Sequence, residues 1–85
     1  MKKKNDPICT ILWRDASYTF MQKMPEILPL PQLTTGFIME TNDDYTVIAT
    51  NVSYDDKTGA MSMVDGFIVP GKTILEFRKI GNYNE

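Results

Sequence analysis

The sequence predicts a small all-β protein made of five short antiparallel strands. Three observations carry that reading. Several segments are rich in β-branched and aromatic residues and alternate their side chains with period two. Clusters of turn formers separate them, "NDD" at 42–44 and "YDDKTGA" at 54–60. Pro25, Pro29 and Pro31 fall in the one stretch that would otherwise suit a helix, and proline forbids a long one.

Each element follows in turn. Residues 7–16, "PICTILWRDA", form the first strand, with Cys9, Ile11 and Trp13 on the core face and Thr10, Leu12 and Arg14 outside. Residues 17–33 make a helical turn or two capped by Ser17, then an extended proline-rich loop whose apolar side chains cover one end of the fold. Residues 34–41 and 45–53 are a hairpin with apolar residues on both faces, and Gly36 marks a bulge or bend. Gly59 suits a left-handed position in the second hairpin loop. Residues 61–70 are the fourth strand, with a bulge at Asp65-Gly66. Pro70 ends that ladder, "PGKT" supplies one 3₁₀-like turn, and "ILEFRKI" is the fifth strand. A turn there lets the last strand close against the first and leaves few open edges. The pattern is that of an SH3-like barrel: residues 1–6 a basic tail, 7–80 a single domain, 81–85 a C-terminal tail.

An 85-residue chain holds one core and buries roughly 60% of its unfolded surface, so self-association would stabilise it. No apolar run reaches the roughly 20 residues of a membrane span, and no apolar segment follows the basic "MKKKNDP" as a secretory signal requires. The single cysteine forms no internal disulfide and fits a reducing, cytoplasmic setting, in the protein's own cell or a host's. A formal net charge of −2, with its only basic cluster on a tail, disfavours nucleic acid as a partner.

The absence of histidine removes Ser-His-Asp and Cys-His nucleophilic pairs and His-ligated metals. No glycine-rich phosphate loop occurs. Neither an enzymatic activity, a cofactor nor a metal is expected. Asp43-Asp44 and Asp55-Asp56 sit in hairpin loops, where turn chemistry explains them, and both loops are expected at the end away from the closing turn. Asp15 caps the turn after the first strand or binds at the rim. Trp13, Phe37, Phe67 and Phe77 are expected in the core. Tyr18, Phe20 and Tyr54 fall in loops. The candidate ligand-binding set is Asp15, Tyr18, Phe20, Lys72 and Arg78, gathered on the rim where the first loop meets the closing turn. Aromatic faces beside cations suit a planar anionic ligand, nucleotide-like in character.

"ILWRDA", "TTGFIMETNDDYTVIAT" and "VPGKTILEFRKI" together resemble small uncharacterised SH3-like barrel proteins of phages and prophages. Their shared marks are a W-x-D-A strand end, a threonine–glycine–aromatic strand and a closing proline turn. That pattern commonly carries lysine where this chain has Gly71, leaving Lys72 as the nearest basic side chain. The resemblance implies the fold and a mobile-element setting, and no activity. Function is therefore expected to be non-enzymatic binding, as an anti-defence accessory protein that engages a host protein or sequesters a nucleotide-like ligand as a homo-oligomer. A nucleic-acid-binding barrel and a structural subunit of a larger particle are the alternatives.

Overall fold

The computed structural model describes residues 6–14 and 30–84. Its strands are β1 (Pro7–Trp13), β2 (Gln32–Thr41), β3 (Tyr45–Tyr54), β4 (Met61–Pro70) and β5 (Ile74–Asn82), with a 3₁₀ turn at Gly71–Thr73 before the last. The expected order of the five strands and the closing turn holds; the helical turn capped by Ser17, and the proline-rich loop as far as residue 29, lie outside the described residues. β2 starts earlier than its alternation suggests, because Gln32 and Leu33 pair with Trp13 and Leu12. β5 runs on to Asn82, which lies opposite Pro7.

All neighbouring strands are antiparallel, in the order β4-β3-β2-β1-β5. The 3₁₀ turn does carry the chain to β1. Arg14 donates its backbone N–H to Thr73 O at 3.0 Å, and Gly71 donates to Asp44 O at 2.8 Å. Thr73 Oγ1 donates back to Pro70 O at 2.7 Å, across the turn. The expectation of few open edges is corrected. β4 and β5 are the two ends of the sheet, and no ladder joins them.

The sheet is nonetheless strongly curled. In a flat sheet β1 and β4, three strands apart, would be roughly 14 Å from each other. Here the rings of Trp13 and Phe67 meet edge to face at 5.8 Å. Two glycines permit the curl by letting backbone approach backbone. A Cβ at Gly36 would stand 2.1 Å from Ala49 O, and one at Gly66 would stand 2.2 Å from Ile48 O. Both flank the same β3 dipeptide, so β3 bends between them with no side chain in the way.

Inside the curl lie Ile11, Trp13, Ile48 and Val69, with Ile38 and Ile74 packed against them. Every strand contributes. The indole N–H of Trp13 is buried and donates to Thr34 Oγ1 at 3.0 Å, so the core's largest residue leaves no polar group unmet. Cys9 is buried on the same face, as its alternation with Ile11 and Trp13 predicts.

The other aromatics depart from expectation. Phe67 (42% exposed) and Phe77 (44% exposed) stand on the inward face but at its open side. Phe37 lies on the outward face, in register with Ile8 and Ala49, because Gly36 and not Phe37 shares the face of Cys9.

The β2–β3 ladder ends at Phe37 and Ala49, whereas β3–β4 continues to Tyr54 and Met61. Residues 50–54 and 61–65 thus project as a two-stranded ribbon. Register shifts on either side of the Asn51–Asp65 pair leave Thr50 of β3 and Val64 of β4 without a register partner, so the bulge expected at Asp65-Gly66 falls beside it, at Val64 on the fourth strand. Gly59, with φ of 76°, takes the left-handed position foreseen for the ribbon's tip.

Candidate functional site

Of the five predicted site residues, Asp15, Tyr18 and Phe20 lie outside the described residues. Lys72 is exposed on the 3₁₀ turn. Arg78 stands on β5 opposite Thr10, four residues beyond Ile74 and so roughly 13 Å along the strand. It pairs with Glu76 at 2.5 Å, both side chains being largely exposed. Such a pair stabilises by about 0–1 kcal/mol. Lys72 and Arg78 therefore occupy different parts of the surface.

Two other groups share the end of the molecule with Lys72. The Asp43-Asp44 loop is held against the closing turn through Gly71 and Asp44, which corrects its expected placement at the opposite end. Arg14 is half-buried there, with its Nε enclosed and without a hydrogen-bond partner among the described residues. The alternation of β1 marked Arg14 only as outward-facing, so the sequence signal for it was slight.

Side-chain turn bonds hold both acidic loops, through Asn42 in the first and Asp55 in the second. Asn42 Oδ1 accepts from the backbone N–H groups of Asp44 and Tyr45 at 2.8 and 2.9 Å. In the ribbon loop Asp55 Oδ1 accepts from Lys57 N–H at 2.9 Å and Thr58 N–H at 3.4 Å. The Lys57 N–H, and secondarily the Thr58 groups, hold the Asp55 carboxyl below its ordinary range. Among the described residues, no three His, Cys, Asp or Glu side chains converge as a metal site.

The curl instead creates two surfaces that alternation alone does not reveal. On the inward face, Phe67 reaches the edge of Trp13, Phe77 lies opposite Ile11, and Lys79 lies opposite Cys9. Burial pushes the Cys9 thiol up, and the charge of Lys79 opposes that rise. This open side offers two half-exposed aromatic rings and a cation. Aromatic rings of this kind stack on planar groups, and a lysine supplies a point charge for an anion.

On the outward face, Glu40, Val47 and Ile68 form one cross-strand row and Phe37, Ala49 and Gly66 the next. Glu40 accepts a hydrogen bond from Tyr45 Oη at 3.0 Å. The Tyr83 ring meets both Phe37 at 6.1 Å and Tyr54 at 5.6 Å, edge to face. Asn84 hydrogen-bonds Asp6, and Tyr83 N–H donates to Asp6 O at 3.0 Å, so the C-terminal segment is fixed beside the start of β1. Ile68, 67% exposed, is the most open apolar side chain of β4.

No protein-family model, curated protein or solved structure matches this chain. Among the described residues no helix is long and apolar enough to cross a membrane.

Proposed function

We propose that the protein is a non-enzymatic binding module on an SH3-like barrel, working as a homo-oligomer. The strand order β4-β3-β2-β1-β5 and the single 3₁₀ turn before β5 support the barrel assignment. One observation carries the function: large apolar side chains are exposed on both surfaces of one sheet. Phe67 and Phe77 stand open on the inner surface, Leu33 and Ile68 on the outer. Single exposed apolar residues are ordinary, but extended apolar patches mark sites of contact.

The inner surface, with Phe67, Phe77 and Lys79, suits a small planar anionic ligand such as a nucleotide. The outer surface suits protein. This division replaces the rim of Lys72 and Arg78 with a site on the inward face. The phage-type sequence resemblance supports placing the module as a mobile-element accessory protein. Sedimentation velocity from low to high micromolar concentration tests the oligomer, which should appear as a species larger than a monomer. A monomer throughout that range removes the reading. An amide chemical-shift titration with a nucleotide panel should move Phe67, Phe77 and Lys79 first; shifts confined to Lys72 and its neighbours would return the site to the rim.

A further inference from the structure

We infer that two copies of the chain join edge to edge through β4, in antiparallel pairing about a two-fold axis beside Ile68. The inference rests on the oligomer reading and assigns its interface.

The two edges of the sheet are unlike. β5 carries Glu76, Arg78 and Lys79 in close succession, and its ladder to β1 is broken by register shifts at both ends. Charges and irregularities of this kind are what keep an edge strand from pairing with another chain. β4 has one charge, Asp65, and although two register shifts also interrupt its ladder there, the strand then runs regularly through Gly66, Phe67, Ile68 and Val69 against β3 as far as Pro70. Among the described residues nothing pairs with the other side of that stretch.

The surface along this edge is apolar and weakly charged. Met63, Val64, Phe67 and Ile68 are all exposed, with Phe67 on the inner face and Ile68 on the outer, so a second copy laid against the edge covers apolar side chains on each face. The patch holds only two carboxylates, Asp65 and Glu40, and the second is already engaged by Tyr45. It therefore offers no strong field to attract an oppositely charged partner.

The register follows from the side chains. Pairing centred on Ile68 sets Ile68 opposite its own copy on the outer face and Phe67 opposite the partner's Val69 on the inner one. It also keeps the two Asp65 carboxylates from facing each other, which would be destabilising. The two five-stranded sheets become one continuous sheet.

The test compares Ile68→Lys on β4 with Leu75→Lys on β5, an exposed apolar position on the other edge. Sedimentation equilibrium should show dimer association at least about tenfold weaker for Ile68→Lys and within about twofold of wild type for Leu75→Lys, with circular dichroism confirming that both fold. A wild-type protein that stays monomeric overturns both the oligomer and this interface. An oligomer that survives Ile68→Lys, or that is lost with Leu75→Lys instead, overturns the β4 assignment and leaves the oligomer standing. Should Ile68→Lys fail to fold, amide exchange of the wild-type protein decides. Slower exchange across residues 63–69 on raising the concentration supports the pairing, and unchanged exchange there contradicts it.

Discussion

The curled part of the sheet around Trp13 and the β3–β4 ribbon use the same strands in opposite ways. In the first, β3 is flanked by β2 and β4, gripped at Ile48-Ala49 by two glycines, and covered by a core drawn from all five strands. In the second, β3 has β4 alone, and Met63, Val64 and Tyr54 face solvent. A two-stranded hairpin is marginal in water, whereas a multi-stranded sheet with a buried face is not. Stability is thus concentrated at one end of the sheet. The same strand is scaffold over half its length and surface over the rest.

The contrast can be broken most severely at Trp13. Trp13→Ala should destabilise by about 3–5 kcal/mol, enough to unfold a domain of this size in a thermal melt. A variant that melts near the wild-type temperature would show that the core is elsewhere. Gly36→Ala comes next, because its new methyl has no room beside the Ala49 carbonyl. About 1–3 kcal/mol or more should be lost in urea unfolding, while Gly81→Ala, with nothing within 4 Å of the added carbon, should change stability by less than about 0.5 kcal/mol. Equal effects at the two positions would mean that the close approach does not govern the curl.

Thr34→Val keeps the shape of the side chain but strands the Trp13 indole N–H, at a cost of about 1–3 kcal/mol. At the ribbon, Tyr54→Ala should cost less than about 1 kcal/mol globally, since its exposed ring meets only Tyr83 among the described aromatic residues. The smallest effect is set by pH. Asp55 has a lowered native pKa, so its contribution to the ribbon loop is present above the ordinary carboxylate range and lost as pH falls through the native value. The Lys57 and Thr58 amide signals should follow that acid titration in wild type and be flat in Asp55→Ala. A titration unchanged in the variant would place the responsible carboxylate elsewhere.

Much of the scaffold was legible in the residues. Period-two alternation placed Cys9, Ile11 and Trp13 inside, turn chemistry located both hairpins, and Pro70 marked the joint, because each of these depends on neighbours in sequence. The curl depends on which strands meet across the sheet, and that is not a local property. Phe67 was therefore expected in the core with the other aromatics, and nothing local could tell that the inward face stays open there. Alternation missed Lys79 and Arg14 for the same reason. Lys72 and Arg78 looked adjacent in sequence, yet the rise of a strand separates them. Gly36 and Gly66 were visible as irregularities, while their shared partner, the backbone of Ile48-Ala49, was visible only in three dimensions.

Native-state amide exchange on the dilute protein, resolved residue by residue, tests the two-part account most directly. The amides of Ile11, Ile48 and Val69 should exchange only through global unfolding, with those of residues 50–54 exchanging much faster through local opening of the ribbon. A ribbon protected as strongly as the core would contradict it.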